Sequence, residues 1–234
     1  MTDTLNRAQN DFRPALLIGT LIGALLLIAL GVILDRAFDS GPLAEFDQEL
    51  TTDFYDSAEP DRTDIFRTLT RLGNEALYVI GVAGGLYLIW RRRARHFALW
   101  TIALVGGQIV KTALKLIFAR PRPIFESPLA VEDSFAFPSG HAMMSIIAYG
   151  LIVYLLWKAL RSPAARGLLV AGMVLLVGLI GLSRLILAVH YFSDVVGGWL
   201  LGGLWLLFCI WLVNALTRRF RRGTSDPPPA AHGM

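Results

Sequence analysis

Residues 97–119 read FALWTIALVGGQIVKTALKLIFA, with RRRARH before them at 91–96 and RPRP after them at 120–123. No ionisable side chain occurs between Phe97 and Val110. At about 1.5 Å per residue, a helix of this length crosses the ~30 Å hydrocarbon core of a bilayer. The chain also ends the helix itself, because each proline of Arg120-Pro121-Arg122-Pro123 removes a donor and restricts the residue before it. Lys111 and Lys115 are four apart and share a face near that end. A lysine there needs water, a headgroup or an anion opposite it. The cluster reads either as side chains snorkelling to headgroups or as the rim of an anion site.

Five further apolar segments surround this one: Pro14 to Leu34, about Asn74 to Trp90, about Pro138 to Trp157, Gly167 to Leu182, and roughly His190 to Leu216. The expected fold is an all-α membrane protein of six transmembrane helices. Pro14 to Leu34 exceeds a signal-peptide core and lacks a small-x-small cleavage site before Asp35-Arg36, so it reads as a retained span. Gly167 to Leu182 is short unless the adjoining Ser183-Arg184 is sheltered by protein.

The chain is 55% hydrophobic and 17% charged with a net charge of +4. Those charges sit in runs at the ends of apolar segments, which excludes the accessible basic face of a nucleic-acid binder. The single cysteine, Cys209, lies within an apolar run, excludes an intramolecular disulfide and reads as a packing residue. No obligate protein partner is implied.

Arg7 and Arg13, Arg91 to Arg95, Lys158 to Arg166, and Arg218 to Arg222 all fall on one side if six spans alternate. Positive-inside asymmetry places that side and both termini in the cytoplasm. The opposite side receives an acidic stretch from Asp35 to Asp64, whose bases are Arg36 and Arg62. Within it Leu43, Phe46, Leu50 and Phe54 recur at helical spacing, and Phe66, Leu69 and Leu72 suggest a second helix. These helices are expected to lie on the bilayer or brace the bundle, with substrate gating as the alternative. The polar, proline-rich tail, including His232, is expected to be disordered and without a catalytic role.

Two more polar clusters join Lys115 and Arg122 on the non-cytoplasmic side. Phe137-Pro138-Ser139-Gly140-His141 opens an apolar run, and Pro-Ser-Gly at a helix start offers backbone N–H groups to an anion. Capping alone accounts for Ser139 equally well, but not for His141. Ser183-Arg184-x5-His190-x3-Asp194 places His190 and Asp194 one helical turn apart, where the carboxylate can fix the imidazole tautomer. A simple structural His–Asp pair is the alternative reading in isolation. Together, two histidines, an orienting carboxylate and several cations suit phosphoryl transfer, with one histidine as nucleophile and the other as acid. The cations neutralise the phosphate, and no metal or other cofactor is called for.

The three strings resemble the tripartite pattern of the type 2 phosphatidic acid phosphatase (PAP2) superfamily, K-x6-R-P, P-S-G-H and S-R-x5-H-x3-D, without a departure in spacing or residue type. The resemblance implies a PAP2-like helical core, with catalytic residues His190 as nucleophile, His141 as acid and Asp194 orienting His190. It further implies a phosphate clamp of Lys115, Arg122, Ser139, Gly140 and Arg184. Arg120 lies outside the minimal pattern and is a candidate substrate contact. The implied organisation is a cytoplasmic N-terminus at 1–13, a phosphatase domain at 14–216 with an extracytoplasmic amphipathic segment at 35–73, and a cytoplasmic tail at 217–234.

Members resembling this chain act on undecaprenyl diphosphate, phosphatidylglycerol phosphate, phosphatidic acid and related lipids, most often in a bacterial inner membrane. Undecaprenyl diphosphate hydrolysis is the leading expectation. The glycerophospholipid phosphates, a lipid A phosphatase or phosphotransferase, and a non-enzymatic lipid-binding or transport protein are the alternatives. Membrane lipids, one bearing the phosphate or diphosphate, are the expected partners.

Overall fold

The computed structural model describes residues 41–157 and 159–223, together with Gly23, Leu25 and Ala29, which are helical. Apart from those three residues, the expected first span lies outside the described residues, as do residues 1–13 and the tail from 224 with His232. Among the described residues every regular element is helical.

Two short helices come first, α1 (Pro42–Asp56) and α2 (Pro60–Thr70). Each opens on a proline, where the missing N–H breaks no intrahelical bond, and each carries an acid in its first turn, Glu45 and Asp61. A tight turn at Arg71–Gly73 leads into α3 (Glu75–Trp90), and a few arginines separate it from α4 (Ala94–Phe118). A long irregular loop then precedes α5 (Gly140–Leu156), followed by α6 (Pro163–Ile186) and α7 (Phe192–Gly223). Ser162 caps α6 by accepting a hydrogen bond from the Ala165 N–H.

Four stretches are long and apolar enough to cross a membrane: Pro60–Trp90, Ala94–Phe118, Pro163–Ile186 and Phe192–Thr217. The count of six is therefore corrected to four among the described residues. The segment expected as the fourth span is helical but has only 17 residues, about 26 Å, because the loop before it is irregular up to Ser139. In contrast, the segment expected to be short continues through Ser183 and Arg184 to Ile186, with both polar side chains buried. α7 also runs on to Gly223, so residues 217–223 are helical rather than part of a disordered tail.

Outward-facing side chains such as Val79, Leu116, Leu168, Val174, Leu175 and Leu207 are apolar and exposed. That pattern inverts a water-soluble surface and suits contact with lipid tails. Inside, Leu88, Trp100, Ala103, Met143, Ile147, Leu151, Leu206 and Cys209 form the main core. α5 sits at the centre, packed most extensively against α7 and also against α4 and α6. Glycine lets α7 come this close. A Cβ at Gly198 would stand 2.8 Å from the Ser139 carbonyl oxygen, and one at Gly202 would stand 2.6 Å from that of Met143.

The helices alternate in direction, so the ends of α4 and α6 and the starts of α5 and α7 gather at one pole. The arginines around 91–95 and those at the end of α7 gather at the other, where Arg95 donates to Asn214.

α1 and α2 brace the first pole, α1 against α6 and α7, and α2 against α6. The face of α1 differs from the expected stripe. Among its described side chains Asp47 and Thr51 are buried, Leu50 and Phe54 are half-buried, and Phe46 is 47% exposed and meets Phe192 edge-on. The helix is rotated because Asp47 has buried polar partners, and these outweigh the burial of one more ring.

Candidate active site

α4 carries Lys111 and Lys115 on its last turns and then breaks at Ala119, whose φ of 46° is left-handed. That corner sends Arg120 and Arg122 inward from a chain that cannot continue the helix. A second left-handed alanine, Ala188 (φ 51°), shapes the short connection between α6 and α7 that presents His190. Held away from the usual backbone minima, both corners adjoin the charged groups they aim.

A cavity of about 600 Å³ opens between α3 and α4 and ends at this pole. Its walls are largely apolar, including Leu77, Val82, Leu86, Leu104 and Ile109, and its polar end holds Lys111, Lys115, Arg122, Glu132, Ser134, Gly140, His141 and His190. The shape suits an amphiphile with an anionic head and a hydrocarbon body.

His190 is 1% exposed. Its Nε2 lies 3.1 Å from Arg122 Nη1, and its Nδ1 lies 3.2 Å from Asp194 Oδ2. A guanidinium can only donate, so Nε2 carries the lone pair and Nδ1 the proton, which it donates to Asp194. The imidazole thus turns its basic nitrogen toward the cations. Burial first, and then the positive charges of Arg122, Arg184 and Lys115, hold its pKa well below the usual imidazole value. Asp194 also accepts the Tyr191 N–H at 3.0 Å. The backbone oxygen of Asp194 accepts the Ser139 N–H at 2.9 Å, tying the second motif to the third.

Arg122 is spread over several acceptors: the Val189 carbonyl at 2.6 Å, the Ser134 carbonyl at 2.5 Å and the Ser134 hydroxyl at 3.2 Å. Lys115 donates to the Ser134 hydroxyl at 3.1 Å and to the Phe135 carbonyl. Arg184 is 2% exposed and donates to Thr70 at 2.8 Å and to Glu132, but its Nε has no partner. The buried Ser139 hydroxyl also lacks a partner. Unsatisfied buried polar groups are rare because each costs about 1–3 kcal/mol.

Lys115, Arg122, Gly140, His141 and His190 therefore share the cavity wall. Asp194 stands directly behind His190, while Arg184 and Ser139 are buried beside the site. Arg120 is placed differently from the expected substrate contact. It is 7% exposed, does not line the cavity, and donates to Asp194 Oδ1 at 2.7 Å, the Ser193 hydroxyl at 2.6 Å and Asp47 Oδ2 at 3.2 Å. Two carboxylates drew it inward, away from the cavity.

The motifs alone gave no sign of Glu132, Ser134, Thr70 or Asp47. The polar trio Glu132-Asp133-Ser134 in the loop between the first two motifs was a usable signal. Glu132 reaches two arginines, paired with Arg184 and 3.8 Å from Arg122, so a carboxylate occupies an arginine pair of a kind that suits phosphate.

The PAP2 superfamily model matches residues 96–218. Phosphatidylglycerophosphatase B of Bacillus subtilis is 30% identical over 195 residues, covering 82% of this chain and 94% of that protein. An undecaprenyl-diphosphatase of Sulfolobus acidocaldarius is 30% identical over 145 residues, covering 60% of this chain and 65% of the relative. The crystal structure of the transmembrane PAP2-type phosphatidylglycerolphosphate phosphatase of Bacillus subtilis superposes with a TM-score of 0.71 at 27% identity, covering 85% of this chain and 97% of that one.

Proposed function

The chain belongs to the PAP2 superfamily and is a multi-pass membrane phosphatase; from that premise we propose that it hydrolyses a lipid phosphate or diphosphate through a phosphohistidine on His190. The observation that carries this reading is the position of His190, with Nδ1 3.2 Å from Asp194 and Nε2 at the cationic end of a cavity with apolar walls. The phosphate is gripped by Lys115, Arg122 and Arg184, with the Ser139 hydroxyl and the Gly140 N–H completing the cradle. Phosphate oxygens supply the partners that Arg184 Nε and Ser139 Oγ lack.

Once Arg122 turns to the phosphate, His190 Nε2 attacks the terminal phosphorus and its bond to the leaving oxygen breaks, that oxygen belonging to the lipid alcohol in a monophosphate and to the lipid phosphate in a diphosphate. His141 gives that oxygen a proton, the nearby anionic phosphate favouring its protonated form. Water, deprotonated by His141, then attacks phosphorus, releasing phosphate and restoring His190. Asp194 stabilises the positive charge on the ring in each step.

The bilayer surface holding the site is extracytoplasmic, because the arginine-rich pole opposite belongs in the cytoplasm. The membrane in question is a bacterial inner membrane. Undecaprenyl diphosphate is the leading substrate, and the apolar cavity walls support a hydrocarbon body beside the phosphate. Phosphatidylglycerol phosphate is the second reading, favoured by the Bacillus relative's match along most of both chains.

Purified, bilayer-inserted protein is expected to release inorganic phosphate with EDTA present from at least one of undecaprenyl diphosphate, phosphatidylglycerol phosphate, phosphatidic acid and phosphorylated lipid A. Relative rates rank the substrates. No turnover on the whole panel would reject the reading, and failure to trap an acid-labile adduct on His190 by rapid quench would reject the covalent step.

A further inference from the structure

α1 holds a carboxylate that the reaction scheme does not use. Asp47 is 1% exposed and lies on a helix otherwise rich in exposed acids. Its Oδ1 accepts the Ser193 N–H at 3.0 Å, and its Oδ2 accepts from the Ser193 hydroxyl and from Arg120 Nη2 at 3.2 Å. Arg120 Nη1 donates in turn to Asp194 Oδ1 at 2.7 Å, whose other oxygen holds His190. Tyr191 stacks under the same guanidinium at 4.6 Å. A continuous chain of buried polar groups therefore runs from a helix remote in sequence to the ring of His190.

We propose that Asp47 is a positioning residue, which through Arg120 and Ser193 sets both the geometry and the effective charge of Asp194. Charge balance is the reason. Arg120 bound to Asp194 alone would neutralise the carboxylate that must stabilise positive charge on His190. With Asp47 on its other nitrogen, Arg120 is shared between two anions, and the trio keeps one net negative charge beside the histidine. In a dry site such charge acts at nearly full strength. The acidic segment thus contributes to turnover without touching substrate. Because Asp47 lies away from the cavity, removing its charge acts on the chemical step and leaves lipid binding alone.

This inference rests on the phosphohistidine reading, and the experiment separates the two. Lipid-phosphate turnover is measured for wild type, Asp47→Asn, Asp194→Asn and the double variant, with thermal unfolding in detergent recorded for each. Wild-type turnover tests the phosphatase reading alone. Asp47→Asn is expected to lower kcat about 10-fold with KM within about 2-fold of wild type. In the Asp194→Asn background the same change is expected to have little further effect, since the group it acts through is gone. Should Asp47→Asn fail to fold, Ser193→Ala, which cuts one link and leaves every charge, is expected to lower kcat about 3-fold in the wild-type background and not in Asp194→Asn. Unchanged kcat, a loss confined to KM, or losses that multiply in the double variant would each overturn the proposal.

Discussion

His190 is buried in its neutral form among cations, and that has a consequence for stability as well as for turnover. Its folded pKa is lowered by burial and by Arg122, Arg184 and Lys115, with a backbone hydrogen bond to Ala136 opposing them. The unfolded chain therefore binds a proton below about pH 6.5 that the folded chain refuses. The contribution of this site to stability is fully present above that value and is lost as pH falls toward the folded pKa. The unfolding midpoint is expected to drop between pH 6.5 and pH 5 by less in His190→Gln than in wild type. An equal drop in both would locate the acid sensitivity elsewhere. Glu132 poses a different question at the same scale, because it pairs with Arg184 where phosphate oxygens would bind. If its carboxylate competes with phosphate, Glu132→Gln should strengthen inhibition by inorganic phosphate about 5- to 10-fold, a gain of about 1–1.4 kcal/mol. A weaker inhibition constant would mean instead that Glu132 holds Arg184 in its binding position.

At the scale of elements, the site depends on how closely α7 approaches the start of α5. A methyl group at Gly198 meets the Ser139 carbonyl at 2.8 Å, and a backbone atom there cannot move aside as a flexible side chain would. Gly198→Ala is expected to cost about 1–3 kcal/mol of stability and to reduce kcat, read by thermal unfolding and initial rates. Gly172→Ala, whose added methyl meets nothing within 4 Å on α6, serves as the control and should be neutral or slightly stabilising. These contacts also explain which elements were legible in the sequence. α3, α4, α6 and α7 announce themselves because lipid imposes long uncharged runs; the first and third motifs lie at the ends of α4, α6 and α7, and the second opens α5. α1 was legible as a helix but not in its rotation. Asp47 stands among Glu45, Glu49 and Asp53, and no local pattern distinguishes the acid that faces Arg120 from those that face outward. Arg120 was ambiguous for the same reason, its direction being decided by carboxylates 73 and 74 residues away.

The whole molecule has two chemically unlike poles, and their assignment to the two sides of a membrane can be read with one set of labels. The native Cys209 is fully buried, so it contributes little background to thiol labelling. Asp61 at the start of α2 is exposed at the pole that holds the site, and Arg92 is exposed at the arginine-rich pole. With the site outside, Asp61→Cys should react with a membrane-impermeant maleimide in intact cells, and Arg92→Cys only after permeabilisation. The opposite pattern would put the site in the cytoplasm, where the same chemistry would meet a different pool of lipid phosphates. Thr4→Cys tests the segment before the described bundle. If residues 14–34 cross the membrane, Thr4→Cys must label like Arg92→Cys, because one span then separates it from α1. Labelling like Asp61→Cys would remove that span, leave residues 1–40 on the same side as the site, and reduce the bundle to the helices from α3 onward.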